Sequence, residues 1–184
     1  MFMGRPGCGK DTQGHMLADK IHTKLFSSGE VFRAHIKNGT AAGKRLQADL
    51  DAGILMPIWF AQFLFEGALL DLKEEDNIVF QGACRKLPEA ELFHEIHKWL
   101  KRPYTVIYLD ISEDTMKKRV GYRKTTAQGR ADDEAHAIQN RIDEFNKLTV
   151  PSIEFFRSKG VVVTVDAEPS VDDIHANVLQ VLNI

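Results

Sequence analysis

Short runs of β-branched and other apolar residues alternate along the chain with longer stretches of helical periodicity. The runs cover residues 23–26, 77–82, 104–111 and 160–166, and residues 1–3 would form the stub of a further strand. The third and fourth runs are almost continuously apolar, which is typical of strands buried on both faces of a parallel sheet. The alternation therefore predicts an α/β fold in which a five-stranded parallel sheet is flanked by helices in three layers.

Helical periodicity is predicted between these strands and after the last one. The longest stretch starts near residue 132, where Ile138, Ile142, Phe145 and Leu148 recur at spacings of three and four. Pro151 is expected to kink or break this helix. The other predicted helices cover residues 10–22, 30–38, 41–52, 57–72, 89–100, 112–122 and 171–182.

Composition excludes several classes of protein. The formal net charge of -2 gives no overall basic field, so we expect no nucleic-acid partner. No charged and apolar leader opens the sequence, and no apolar run approaches the roughly 18 residues that a membrane span requires. Cys8 and Cys84 are the only cysteines, which is no disulfide framework. We therefore expect a cytoplasmic protein of one domain that has free thiols and does not bind membranes.

A glycine-rich segment, GRPGCGKDT at residues 4–12, lies directly after the first strand stub and before the first helix. Glycines allow backbone N–H groups to turn toward an anion, the helix start adds a positive dipole end, and Lys10 supplies an ammonium group. The spacing of Gly4, Gly9 and Lys10 therefore predicts a loop that holds the phosphates of a nucleotide. The alternative is a turn that only joins strand to helix.

With Pro6, and with a threonine one position later than in the generic phosphate loop, this segment resembles the GxPGxGKGTQ loop of the adenylate kinase and wider nucleoside monophosphate kinase family. Asp11 replaces a glycine of that pattern, and we expect its carboxylate to face away from the nucleotide because it would repel phosphate. The resemblance implies a P-loop NTPase fold and a contact of Thr12 with Mg²⁺ through water. It also implies ATP binding by Gly7, Cys8, Gly9, Lys10, Asp11 and Thr12.

A second segment, SSGEVFRAHIKNGTAAGKRLQADLDAGILMP at residues 27–57, resembles the monophosphate-binding insert of the same family. The shared features are an STGDLLR-like start, a GT, a GK and a DxGxLVP-like end. The resemblance implies that Ser28 and Gly29 contact the acceptor base and that Arg33 binds the acceptor phosphate. A planar, always charged arginine suits this role, whereas an arginine on a solvated helix face is the alternative.

A third segment, QGACRKLPEAE at residues 81–91, resembles the family pattern DGFPRTLPQAE and implies acceptor binding by Gly82, Arg85 and Glu89. Gln81 replaces an aspartate that helps to hold Mg²⁺ through water. Glu89 replaces a glutamine that reads adenine, and its carboxylate could accept hydrogen bonds from adenine or from guanine. The expectation of AMP as the acceptor therefore comes from the family resemblance and not from Glu89.

The fourth segment, residues 119–145, resembles the short form of the family's lid and the helix that follows it. The resemblance implies that Arg119 stacks on the ATP base, and that the backbone near Pro169 contacts the same base. It also implies that three arginines surround the phosphates, namely Arg123, Arg130 and Arg141. Asp132 and Asp133 would hold these arginines in position. The lid is too short for a four-ligand zinc site, so no zinc is predicted.

Together these segments predict a monomeric ATP:nucleoside monophosphate phosphotransferase with AMP as the expected acceptor. We expect a core of residues 1–26, 58–120 and 132–184, a monophosphate insert near 27–57 and a lid near 121–131. Mg²⁺ would be bound mainly by the ATP phosphates and water. The residues expected to carry catalysis are Lys10, Arg85, Arg123, Arg130 and Arg141, with Arg33 holding the acceptor.

Two alternatives remain open from the sequence. One is a kinase for GMP, UMP or CMP. The other is a nucleotide-binding module with weakened or lost catalysis, which the altered residues Asp11, Gln81, Ala83 and Cys84 would explain. A redox link between the two cysteines is a further hypothesis, because Cys8 lies in the phosphate loop and Cys84 follows a strand expected beside it.

Overall fold

The computed structural model describes residues 1–125 and 135–184, and residues 123, 124 and 135 by their backbone alone. Within this part, five parallel strands form one sheet in the order β2-β3-β1-β4-β5. Each strand lies within two residues of its predicted position. The strands are β1 (Phe2–Gly4), β2 (Lys24–Ser27), β3 (Ile78–Gln81), β4 (Val106–Asp110) and β5 (Val162–Asp166).

Apolar side chains fill both faces of this sheet. In β4, Val106 and Tyr108 pack in the cluster on one face, whereas Ile107 and Leu109 pack in the cluster on the other. The alternation follows from the period of two along a strand, and it explains why the sequence of this central strand is almost wholly apolar.

Helices cover the two faces of the sheet. The helices α1 (Lys10–Lys20), α6 (Glu113–Lys124) and α9 (Val171–Leu182) contribute apolar side chains to one cluster. The cluster on the opposite face takes side chains from α4 (Ile58–Leu70), α5 (Leu87–Trp99) and α8 (Val150–Ser158). The predicted three-layer α/β architecture is therefore confirmed.

The predicted monophosphate insert contains α2 (Ser28–Lys37) and α3 (Ala41–Asp51), which have a small core of their own. Phe32, Leu46 and Met56 are the buried residues of this core. The two helices approach closely at Gly43, where an added Cβ atom would lie 2.3 Å from the carbonyl oxygen of His35. Glycine at this position therefore allows the two helices of the insert to touch.

The long helix predicted to start near residue 132 is divided in the structure. It consists of α7 (Ala135–Glu144), a π-helical turn (Phe145–Thr149) and α8. Pro151 lies in the first turn of α8. The N–H of Val150, directly before it, donates to the carbonyl oxygen of Phe145, so helical hydrogen bonding continues through the π-helical turn up to the proline. The irregularity predicted at Pro151 is therefore found in the turn before it, at the edge of the site described below.

The helix α6 continues to Lys124, past residue 121 where the lid is predicted to begin. The remainder of the predicted lid, residues 126–131, lies outside the described residues. In the described ranges, no helix combines the length and the apolar character that crossing a bilayer would demand.

His97 lies buried near the end of α5, at the edge of the sheet where the strands begin. Its Nδ1 atom is 3.0 Å from the carbonyl oxygen of Arg102, so Nδ1 carries the proton and donates it. Its Nε2 atom is buried and has no hydrogen-bond partner within the described ranges. Burial lowers the pKa of His97 from 6.5 to about 4, and the nearby cationic groups of Arg102 and Met1 act in the same direction.

We predict that His97 makes the protein sensitive to acid. An unfolded histidine binds a proton below about pH 6.5, whereas folded His97 binds one only near pH 4, so the free energy of unfolding falls as the pH drops through this interval. The expected loss is on the order of 2 kcal/mol, measured by urea unfolding at several pH values. His97→Leu should weaken the pH dependence of the free energy of unfolding. The control His136→Leu, which replaces an exposed histidine, should leave that dependence unchanged. Equal slopes in the two variants would contradict the prediction.

Candidate active site

The glycine-rich loop joins β1 to α1 at the carboxyl edge of the sheet. Gly7 and Gly9 have φ angles of 75° and 90°, which favour glycine. Gly9 is the N-cap of α1 and supplies no side-chain hydrogen bond to the first turn. The first N–H groups of α1 are therefore available to an anion, as the sequence predicts.

Lys10 begins α1 and is half-buried, with its Nζ atom 3.4 Å from the carbonyl oxygen of Arg5. Burial lowers the pKa of Lys10, and the positive charges of Arg85 and Arg141 lower it further against opposing effects of Cys8 and Asp11. A bound polyphosphate would relieve this crowding of positive charge. The electrostatics of the site therefore favour an anionic ligand.

A cleft with about 860 Å³ of open space lies between the glycine-rich loop and the insert. Four of the predicted cationic residues line it: Lys10, Arg33, Arg85 and Arg141. They come from the loop, α2, the end of β3 and α7, which are far apart in sequence. Arg130, Asp132 and Asp133, together with the side chain of Arg123, lie outside the described residues.

The segment after β3 holds Arg85 in place. Its Nε atom donates to the carbonyl oxygen of Gly82 at 3.1 Å, and its backbone N–H donates to Oε2 of Glu89 at 2.8 Å. Gly82 has a φ of 75°, and a Cβ atom there would lie 3.0 Å from Nη2 of Arg85 and 2.5 Å from Oγ of Ser28. Glycine at position 82 therefore makes room for the arginine.

The start of α2 lies on the insert side of the cleft. Ser28 is buried and its hydroxyl donates to the carbonyl oxygen of Gly82 at 2.8 Å, which ties the insert to the core. Gly29 lines the cleft, and an added Cβ atom there would lie 3.1 Å from Nη1 of Arg33. The structure thus brings Gly29 and Arg33 to the cleft and places the hydroxyl of Ser28 behind it.

Glu89 has a different position from the one expected for a residue that reads a base. It is 3% exposed, its carboxylate accepts from the Arg85 N–H, and it is not among the described residues that line the cleft. Burial raises its pKa, although backbone hydrogen bonds from Arg85 and Lys86 oppose the rise. In this conformation Glu89 supports the backbone that carries Arg85.

The described residues near the loop do not form a metal site by themselves. Gln81 is buried, and its amide nitrogen donates to Oγ of Ser27 at 2.7 Å, which leaves its oxygen as the available acceptor. Thr12 is exposed on α1, and Asp11 is half-buried in the first turn and absent from the cleft lining. No group of three His, Cys, Asp or Glu residues that could hold a metal ion is found among the described residues. This arrangement fits Mg²⁺ that is bound mainly by nucleotide phosphates and water.

Two residues that the resemblance assigns to the ATP base, Arg119 and Pro169, lie in contact with each other. Nη2 of Arg119 donates to the carbonyl oxygens of Glu168 and Pro169 at 3.1 and 3.2 Å. The carboxylate of Glu168 accepts from the backbone N–H of Ser112 at 2.7 Å and so caps the start of α6. Sequence reasoning missed Glu168, because a glutamate in a loop gives no signal of which helix it will cap.

Sequence reasoning also missed a group that contacts the end of the insert. Lys86, Asn140 and Glu144 make hydrogen bonds to backbone groups between residues 52 and 56. Lys86 stands where the quoted family pattern has threonine, and this departure was the available signal.

Cys8 and Cys84 are free thiols with no exposed surface, and they belong to the apolar clusters on opposite faces of the sheet. Burial raises the pKa of Cys84, and the charge of Glu89 raises it further. We predict that Ellman's reagent labels neither thiol in the native protein and labels both after unfolding, since the reagent requires an accessible thiolate. Rapid native labelling of either thiol would contradict this prediction, and a thiol count below two after mild oxidation would support the redox link.

Comparisons with known proteins agree with one another. The family model described as adenylate kinase matches residues 2–161. An adenylate kinase of Leptospira biflexa is 30% identical over 98% of this chain and 97% of its own length. Adenylate kinase isoenzyme 1 of Caenorhabditis elegans is 33% identical over 97% of this chain and 84% of its own. Adenylate kinase 1 of Schistosoma mansoni is 35% identical over 94% of this chain and 86% of its own length. The similarity therefore covers the whole fold and not the glycine-rich loop alone.

Proposed function

The chain belongs to the adenylate kinase family, and on that premise we propose that it transfers the terminal phosphoryl group of ATP to AMP and forms two ADP. It is an enzyme of the nucleoside monophosphate kinase type. AMP is the proposed acceptor because each of these relatives is named adenylate kinase.

The convergence of cationic side chains on one cleft carries this proposal. Lys10, Arg33, Arg85 and Arg141 line the same space although they come from four separate segments. Phosphoryl transfer requires alignment of donor and acceptor and positive charge around the moving group, and it requires no nucleophile from the protein. A surface built only for stability would not bring these charges together, since their mutual repulsion is unfavourable.

The proposed roles are those that the family resemblance implies for each residue. Lys10 and the loop would hold the ATP phosphates, Arg119 and Pro169 the ATP base, and Thr12 a water on Mg²⁺. On the acceptor side, Arg33 and Arg85 would bind the AMP phosphate. Arg123, Arg130 and Arg141 would neutralise the transferring group. The remaining proposed contacts are Gly7, Cys8, Gly9 and Asp11 for ATP, and Ser28, Gly29, Gly82 and Glu89 for AMP.

Mg²⁺ would arrive with ATP and neutralise charge on its phosphates. The neutral Gln81, whose nitrogen is engaged by Ser27, would contribute at most its amide oxygen. We therefore propose that activity needs Mg²⁺ although the protein supplies few ligands to it.

The same proposal covers the organisation of the chain. Residues 27–57 would close on AMP and residues 121–131 on ATP, against a core of residues 1–26, 58–120 and 132–184. Closure of this kind excludes water and so limits hydrolysis of ATP. We propose a monomer in the cytoplasm, without nucleic-acid or membrane partners, and the two buried thiols suit a reducing compartment.

The experiment is an assay of ADP formation from ATP with AMP, GMP, UMP or CMP, each with and without Mg²⁺. We expect ADP with AMP and Mg²⁺, and a large loss without the metal. Faster transfer to another monophosphate would overturn AMP as the acceptor. Binding of ATP and AMP without any ADP would overturn catalysis.

A further inference from the structure

The insert ends in a non-helical segment, residues 52–56, here called the strap. It joins α3 to α4 and forms one wall of the cleft through Gly53, Ile54 and Leu55. The N–H groups of residues 52–54 donate to carbonyl oxygens at the end of α3. The peptide units around Leu55 lie beyond these bonds, so the position of the wall there depends on other groups that hold them.

Charged side chains hold three consecutive peptide units, from Ile54–Leu55 to Met56–Pro57. The carboxylate of Glu144 accepts from the Leu55 N–H at 3.3 Å. The ammonium group of Lys86 donates to the carbonyl oxygens of Met56 and Leu55 at 2.9 and 3.4 Å. Hydrogen bonds with an ionised partner are stronger than neutral ones, so this pair fixes the strap between α7 and the start of α5.

The strap also packs directly against α7. The side-chain amide of Asn140 donates to the carbonyl oxygen of Ala52 at 2.9 Å. Gly53 has a φ of 73°, and an added Cβ atom would lie 2.6 Å from the carbonyl oxygen of Ala137 and 3.1 Å from Cγ of Arg141. The strap therefore rests on the stem of an arginine that lines the cleft.

We propose that Lys86 and Glu144 are positioning residues that hold the strap in the geometry needed to bind the monophosphate. They act through the backbone of Leu55 and Met56. Glu144 also lines the cleft, whereas Lys86 is not among the described residues that line it. Their contribution should therefore appear in binding of the acceptor and much less in binding of ATP, whose proposed site lies at the loop and α6. This inference rests on the proposed function for its kinetic consequence alone.

The kinetic test uses Lys86→Met, which removes the ammonium group and keeps the length of the side chain. We expect the KM for AMP to rise about tenfold while the KM for ATP changes by less than about twofold. Lys86→Arg keeps a donor of positive charge and should recover most of the affinity. The matched control is Lys98→Met, an exposed lysine on the same helix, which should leave both constants unchanged. Equal constants in Lys86→Met and Lys98→Met would overturn the inference.

A second measurement is independent of activity. Hydrogen exchange of the Leu55 amide in the protein without nucleotide should accelerate about tenfold in Glu144→Ala and in Lys86→Met. Glu144→Gln retains an acceptor and should stay close to the parent protein. If the parent forms no ADP, the proposed function fails. The exchange result still decides whether Lys86 and Glu144 hold the strap. An unchanged exchange rate of the Leu55 amide in Glu144→Ala and Lys86→Met would overturn the inference that these two residues hold the strap.

Discussion

Replacing Arg85 with alanine should lower the turnover number with ATP and AMP by about three orders of magnitude or more. Arg85 lines the cleft beside Lys10 and Arg141, and its Nε atom is oriented by the carbonyl oxygen of Gly82 at 3.1 Å. Its charge is therefore placed before substrate binds, which is the arrangement that stabilises developing charge in a transition state most effectively. The turnover number at saturating substrates measures the effect, and circular dichroism checks that the fold persists.

Two further variants separate charge from geometry. Arg85→Lys keeps the positive charge but loses the planar pair of donors, so its activity should fall between those of the parent and Arg85→Ala. Arg45→Ala removes an arginine from the insert whose side chain is 79% exposed, and it should be nearly neutral. Near-normal turnover in Arg85→Ala would contradict the proposed site.

The fold could be predicted well because its strands are buried on both faces. Residues 104–111 and 160–166 are almost entirely apolar, and β4 and β5 are found within two residues of these ranges. The ends of the helices were predicted less accurately than the strands. The helix predicted to start at residue 30 begins at Ser28, because Ser27 serves as its N-cap and accepts from the backbone N–H of Glu30.

The π-helical turn at Phe145–Thr149 could not be predicted from periodicity. One additional residue in a turn changes the spacing of apolar positions by less than the ordinary irregularity of a helical face. In the structure the turn brings Phe145 and Thr149 to the cleft, and the guanidinium of Arg5 lies 5.2 Å from the ring centre of Phe145. This contact joins the loop to a segment 140 positions later in the sequence. A local sequence pattern does not predict contacts between residues so far apart.

The candidate site was predictable to the extent that motifs specify it. The spacing of its glycines and lysine predicted the loop, and the resemblance implied roles for six arginines. Of these, Arg33, Arg85 and Arg141 line the cleft. The position of Glu89 could not be predicted, since its burial depends on packing at the start of α5. The contact of Lys86 with the strap was also missed. Its partners are backbone carbonyl oxygens about 30 residues away, and backbone groups have no sequence signature.

Replacing Gly4 with alanine should destabilise the protein by about 3 kcal/mol and remove most of its activity. Gly4 has a φ of 151°, and an added Cβ atom would lie 2.5 Å from the carbonyl oxygen of Leu109 and 2.7 Å from Sγ of Cys8. Leu109 is the partner of Gly4 in the pairing of β1 with β4, so relief of the clash must move backbone in the centre of the sheet. The midpoint of urea unfolding measures the effect on stability.

The matched control for this change is Gly67→Ala. Gly67 lies in α4, and an added Cβ atom there would have no atom within 4 Å other than those of the adjacent helix backbone. Alanine favours a helix over glycine by about 1 kcal/mol, so this variant should unfold at a higher urea concentration than the parent and retain its activity. The same chemical change is thus expected to act in opposite directions at the two sites. If Gly4→Ala were as stable and as active as the parent, the glycine would not be required for the approach of the loop to β4, and the geometry assigned to the ATP phosphates would be wrong.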